Sequence, residues 1–222
     1  MKLKDSNKLS LISGEGIYIK GLEVSGVKER TGENKNSTIS IQSQTLNISG
    51  LKAIDIQCYN LIEQPLKKDT EKIREVRISN YHGGPGVSHN HFNFYNLASK
   101  SVIEIKDSKI KLSETSNILR LDNLSRSKDV KVIFKNVDWE YDNPKAGNMD
   151  YLAAILLQPG DETMYDQNIF EGWTFVFDGC SYGGQRLTKR DGLEIWSGSR
   201  EDALIYGWEG KLIKYNVNVF IK

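Results

Sequence analysis

The 222-residue sequence predicts an all-β fold, a short right-handed parallel β-helix with an insertion and a C-terminal β cap. Three observations predict it. A short strand-like unit recurs along the chain, its copies keep a nearly constant spacing, and residues that tolerate a left-handed backbone fall at the same place in successive copies.

The unit reads apolar, any, apolar, polar, then Gly, Asn, Asp or Cys. It occurs as "IYIKGL" from Ile17, "LNISGL" from Leu46, "IDIQCY" from Ile54, "VRISNY" from Val76 and "FNFYNL" from Phe92. It continues as "IEIKDS" from Ile103, "LRLDNL" from Leu119, "VIFKNV" from Val132 and "FVFDGC" from Phe175. Each copy alternates with period two and ends on a turn-tolerant residue, as a short strand does.

The copies at 17, 46, 76, 103 and 132 are 29, 30, 27 and 29 residues apart, and those at 92 and 119 form a second series, also 27 apart. Two strand positions sharing one period describe two sides of a single coil, whereas a sandwich with loops of varied length has no need of such regularity. Stacking then predicts columns. Gly21, Gly50, Asn80, Asp107 and Asn136 form a column of sharp corners, where Asn side chains can bond along the stack. Tyr18, Asn47, Arg77, Glu104 and Ile133 form an outward column in which Arg77 and Glu104 are neighbours of opposite charge.

In chain order, residues 1–16 read as an N-terminal arm, 17–182 as the β-helix with an insertion at about 142–172, and 183–222 as an aromatic-rich cap or docking element. Ile133 and Val176 are apolar at outward positions, so the insertion or a partner chain is expected to cover that face. The run Tyr151 to Leu157 is one further strand-like stretch within the insertion. Past Gly183 the repeat fades, and "IKYNVNVFI" alternates as antiparallel strands capping the open end would.

Thirty basic against 29 acidic residues exclude the one-sided field of a nucleic-acid binder or an anionic-membrane binder. Cys58 and Cys180 form no CxxC pair, which argues against a zinc–thiolate site and a disulfide framework. The basic N-terminus carries no apolar run of signal-peptide length and no stretch reaches membrane-spanning length, so the expectation is a chain made in the cytosol with no membrane insertion.

His82, His89 and His91 are the only histidines and cluster in "NYHGGPGVSHNHF", read as a corner loop between two strands. His89 and His91, two apart, would share one side of an extended segment, a geometry able to hold iron or zinc with His82 or a symmetry mate as third ligand. The other readings of the loop are solvated or interface surface, and a catalytic histidine.

P-loop, GxSxG, HExxH and dinucleotide fingerprints do not occur. Asp138 and Glu140 alternate onto one face, with Asp122, Asp178 and Glu194 as candidate neighbours, which leaves two readings, a carboxylate pair for sugar chemistry or solvated surface. All four tryptophans and six of ten tyrosines fall within residues 139–222. Trp139, Trp173, Tyr182, Trp196 and Trp208 are therefore candidates for an interface or a sugar platform, against the alternative that they plug the end of the coil.

The units "LRLDNL", "VIFKNV" and "FVFDGC" resemble the pectate-lyase-like parallel β-helix superfamily, over roughly residues 17–182. That resemblance implies the architecture, shared by polysaccharide lyases, glycoside hydrolases and bacteriophage tailspike and baseplate proteins. A helix of about seven coils is shorter than the enzymes' long clefts require. The expected function is accordingly a non-enzymatic structural protein of a phage particle, a homo-oligomer with other virion proteins as partners and the virion as its location. "SHNH" also resembles the HxH iron sites of trimeric phage fibre tips. The alternative function is a carbohydrate-binding or polysaccharide-degrading β-helix with a host surface glycan as ligand, acting through Asp138, Trp139 and Glu140.

Overall fold

The computed structural model describes residues 2–3, 9–25, 38–65, 71–113, 116–142, 154–159, 168–188, 194–197, 203–207 and 217–222. These residues are all-β, with no helix among them, and their strands pair almost entirely in parallel.

In chain order, β1 (Lys2–Leu3) precedes β2 (Leu9–Ile12), β3 (Gly16–Lys20) and β4 (Glu23–Ser25). There follow β5 (Ile39–Gln42), β6 (Thr45–Ser49) and β7 (Lys52–Ile54), then β8 (Cys58–Glu63), β9 (Ile73–Ser79) and β10 (His82–Gly83). Next are β11 (Val87–Phe94), the long β12 (Leu97–Leu112), β13 (Asn117–Asp122) and the long β14 (Lys131–Tyr141). The last are β15 (Ile155–Gln158), β16 (Thr174–Asp178), β17 (Ser181–Tyr182), β18 (Gln185–Arg186), β19 (Glu194–Ser197), β20 (Ala203–Gly207) and β21 (Asn218–Ile221).

From β1 to β11 pairing recurs every third strand. β2, β5, β8, β11, β13, β15 and β20 stack as a first side, with β19 beyond β20. A second side consists of β3, β6, β9, the leading half of β12, the leading half of β14, β16 and β21. On the third lie β1, β4, β7, β10, the trailing halves of β12 and β14, and β17. Because β12 and β14 run around a corner unbroken, the second and third sides form one curled 13-stranded sheet, and the first is a separate sheet of eight.

The second side follows the expected columns. Ile17, Leu46, Val76, Ile103, Val132 and Phe175 fall in one register, and Ile19, Ile48, Ile78, Ile105, Phe134 and Phe177 in the next inward one. Apart from Ile19 all of these side chains are buried, so strict alternation places one continuous apolar core inside the stack. The corner column is present as well, with φ of 64° at Gly21, 70° at Gly50, 52° at Asn80, 50° at Asp107, 52° at Asn136 and 63° at Gly179. Asn and Asp tolerate this left-handed region best among non-glycine residues. Asn136 Nδ2 donates to Asp107 Oδ1 at 3.0 Å, and a Cβ at Gly179 would come within 2.7 Å of Asn136 Oδ1, so glycine leaves room for that side chain.

A second ladder lies inside the first side. Asn90 Nδ2 donates to Asn60 Oδ1 at 2.8 Å and Asn117 Nδ2 to Asn90 Oδ1 at 3.1 Å, all three residues being buried and in register. Stacked amides satisfy one another where water is excluded.

Three expectations are corrected. Within the expected insertion, Ile155–Gln158 is a regular strand stacked on β13, so this stretch belongs to the coil instead of lying over the outer face. In the tail, the described strands β20 and β21 are not antiparallel to the strands they stack on. β20 and β21 add parallel strands to β15 and β16, because "NVFI" alternates with the same inward Val219 and Ile221 as the coils before it. Among the described residues β17–β18 is the one antiparallel pair. Finally, His82 lies in β10, while His89 and His91 lie in β11, so the corner loop shortens to residues 84–86.

Candidate functional site

The histidines occupy three surroundings. His82 is exposed on β10. A register shift between Val87 and Asn90 interrupts the alternation of β11, and His89, partly exposed, lays its ring on Tyr59 with centroids 3.6 Å apart. His91 is fully buried, its Nδ1 hydrogen-bonded to Tyr81 Oη at 2.5 Å, and its Nε2 has no partner. Burial lowers the His91 pKa to about 3 and raises that of Tyr81 well above the usual phenol value, so both are neutral. Gly83 roofs the pair, since a Cβ there would lie 2.6 Å from Tyr81 Oη and 2.9 Å from His91 Cε1. Among the described residues no group of three or more His, Cys, Asp or Glu could hold a metal ion.

Asp138 and Glu140 do share the outward face of the third side, and both are engaged locally. Ser181 Oγ at 2.7 Å and the Gly184 N–H at 3.0 Å donate to Asp138 Oδ1, tying the β17–β18 turn to β14. Lys109 lies 3.9 Å from Asp138, and Lys111 lies 3.5 Å from Glu140 and 3.8 Å from Asp142. Asp122 is on the first side and Asp178 on the second, so these carboxylates do not converge. For Glu194, in β19, only the backbone is described.

Trp139 and Trp173 are fully buried core residues. Trp139 packs against Phe177 and Tyr182, with both centroid distances 6.3 Å, and is closed to a ligand. Trp173 packs edge-on against Phe170 and donates from Nε1 to Ser127 O at 2.9 Å. Tyr182 is partly exposed at the third-side edge. Trp196 lies in β19 with only its backbone described, and Trp208 is outside the described residues.

The outer surface of the first side carries a network that sequence reasoning missed, apart from Asp122. Tyr95 Oη donates to Glu63 Oε1 at 2.8 Å and accepts from Asn93 Nδ2 at 2.9 Å. Arg120 donates from Nε to Asp122 Oδ2 at 3.1 Å, and its guanidinium lies 5.6 Å from the Tyr95 ring centroid. Burial outweighs Arg120 and pushes the Asp122 carboxyl up to about 6. A raised carboxyl beside an arginine and a tyrosine is a combination seen at catalytic sites. Here the Asp122 side chain is only 2% exposed, so a substrate has no approach and the network acts as a polar fastening between coils. Its register was legible, because Glu63, Asn93 and Arg120 align, whereas Tyr95, at the polar position of the copy from Phe92, follows the end of β11 and pairs in no register.

The accessible candidate is the outer face of the second side. Its central column runs Tyr18, Asn47, Arg77, Glu104, Ile133, Val176, Phe220 in continuous register. Tyr18 is 77% exposed, Phe220 is 50% exposed, and Ile133 and Val176 are partly exposed. Arg77 and Glu104 are register neighbours as expected, but the guanidinium turns along its own strand to Glu75, with Nε–Oε1 2.8 Å and Nη2–Oε1 2.6 Å. A groove of about 400 Å³ opens over the polar end of this column, between Tyr18 and Lys106.

No family model, curated protein or solved structure matches the chain.

Proposed function

We propose that the chain is a non-enzymatic structural subunit, a short right-handed parallel β-helix that serves as a stiff spacer and assembles through the outer face of its second side. The particle of a bacteriophage is the setting that fits the superfamily resemblance. Right-handedness follows from the general rule that about 98% of parallel crossover connections take that hand.

The observation that carries this reading is the apolar outward run Ile133, Val176, Phe220, at positions where the same column is polar in earlier coils. Exposed apolar side chains that line up along a stack favour cover by another surface. Two features support a second copy as that cover. The net charge is only +1, so copies do not repel one another, and the outer positions on one side of the run include both Lys135 and Asp178, register neighbours of opposite charge. The local engagement of Asp138 and Glu140 favours a structural role over acid–base chemistry.

Light scattering on the purified full chain tests this. A discrete oligomer is expected, and Val176→Glu with Phe220→Glu should convert it to monomer while leaving the circular dichroism unchanged. A wild-type monomer at every concentration, or turnover of a polysaccharide, would overturn the reading.

A further inference from the structure

The first and second sides begin together, with β2 and β3 in one coil, and end unequally. The first side holds eight strands, the last of them β19, whereas the second ends at β21 after seven. β20 and β21 belong to one coil, so β19 stands a strand further on and has no second-side counterpart among the described residues. The place beside β21 is therefore one strand wide. A second copy continuing the stack would bring its β2 onto the first-side position that β19 already holds.

Backbone bonding is unfinished at that place. Asn218 and Lys222 donate their N–H groups to Trp173 O and Phe177 O, both at 2.9 Å, and Lys222 O accepts from the Gly179 N–H at 3.1 Å. Alternate residues of a strand turn their backbone groups to opposite neighbours, so Val219 and Ile221 point theirs away from β16, and no described strand pairs with that edge. The core is unfinished there as well. Val219 and Ile221 continue the inward columns of Phe175 and Phe177, but they are only partly buried, whereas both phenylalanines are fully buried.

We propose that β21 is a docking edge for one extended segment of another protein, parallel to it, apolar at three successive positions and acidic at the next. Each requirement is read from β21. Two inward side chains would cover Val219 and Ile221, an outward one would lie beside the exposed Phe220, and the acid would lie beside Lys222, where Arg186 adds a second cation. β16 meets the same demands from the other side, with Phe175, Val176 and Phe177 followed by Asp178 in register with Lys222. In strand addition of this kind the main chain supplies affinity and the alternate side chains supply selectivity. The inference extends the assembly reading by naming a partner segment, and it does not require self-association.

Fluorescence anisotropy of a labelled peptide copying residues 173–179, titrated with the full chain, tests the edge. Saturable binding is expected, with a scrambled peptide of the same composition binding weakly. Pairing in register turns the N–H of the peptide's Val176 towards β21 and that of its Phe175 away. N-methylation at Val176 of the peptide should therefore weaken binding by about tenfold or more, the scale of an unmade hydrogen bond, and N-methylation at Phe175 should not. In the protein, Val219→Pro removes an N–H that its own ladder does not use, and should abolish binding with the circular dichroism unchanged. No binding, equal binding of the scrambled peptide, equal losses at the two N-methyl positions, or full affinity in Val219→Pro would overturn the proposal. Light scattering on the same samples separates it from the assembly reading: a monomer that binds the peptide defeats only self-association, and an oligomer that does not bind it defeats only the docking edge.

Discussion

The two ends of the second side share one backbone plan and differ in chemistry on both surfaces. In β3, β6 and β9 the inward residues are aliphatic, Ile17, Leu46, Val76, Ile19, Ile48 and Ile78, and the outward column is Tyr18, Asn47, Arg77. In β14 and β16 the inward set contains Phe134, Phe175 and Phe177, with Trp139 and Trp173 nearby, and the outward column is Ile133, Val176, continued by Phe220 in β21. The corners match at both ends, left-handed from Gly21 through Gly179. Parallel stacking therefore fixes where each side chain points and leaves open what it is, so a single stack can carry a polar surface at one end and an apolar one at the other.

The largest expected effect tests the interior half of that contrast. Phe177 stacks on Phe134 with centroids 5.3 Å apart, lies near Trp139, and is fully buried. Phe177→Ala should lower unfolding stability by about 3–5 kcal/mol, whereas Ile78→Val in the aliphatic end should cost about 0.5–1.5 kcal/mol. Urea unfolding followed by circular dichroism reads both. Equal losses would mean that the aromatic end is no more tightly packed per side chain, and the comparison would break.

Next in size is a pair of opposed pH effects near the middle of the stack. His91 has a folded pKa of about 3 against 6.5 unfolded, so the unfolded chain binds the extra proton in that window, and stability falls as pH drops from about 6.5 towards 3. Asp122 is raised from 3.8 to about 6, so the folded chain binds the extra proton, and stability falls as pH rises from about 4 to 6. At roughly 1.4 kcal/mol per unit, the terms are about 5 and about 3 kcal/mol, and their opposed slopes nearly cancel between pH 4 and 6. Urea midpoints across pH 4–7 should be shallow for the wild type. They should rise towards acid in His91→Leu and fall towards acid in Asp122→Asn. A wild-type slope unchanged in both variants would rule out this account.

That pair also marks where the sequence stops being readable. The columns at 17, 46, 76, 103 and 132 were legible because period two and a period near 28 reinforce each other. So were the corner residues, since few residue types accept a positive φ. The asparagine ladder had a signal that went unread, an Asn two places before Ile62, Phe92 and Leu119. His91 was misplaced because glycines and Pro85 suggested a projecting loop. The glycines instead serve close approach, since a Cβ at Gly86 would overlap the Ile56 carbonyl oxygen. The first-side network joins Glu63, Tyr95 and Arg120 from three separate coils, and the repeat gives no sign that the Tyr95 side chain reaches across to its neighbours. The parallel tail was missed for a related reason: β16 and β21 are separated by far more than one period, and spacing alone could not pair them.

The smallest expected effect sharpens the polar end. The Arg77–Glu75 contact is exposed, with 60% and 34% of the two side chains accessible, and an exposed ion pair of this kind is worth about 0.2–1 kcal/mol and weakens with salt. Glu75→Gln should therefore shift the urea midpoint little, and less at high than at low ionic strength. A midpoint shift as large as that of Ile78→Val, or one that added salt leaves unchanged, would mean that the contact does more than an exposed ion pair, and the polar end would then owe part of its stability to its outer surface as well as to its aliphatic interior.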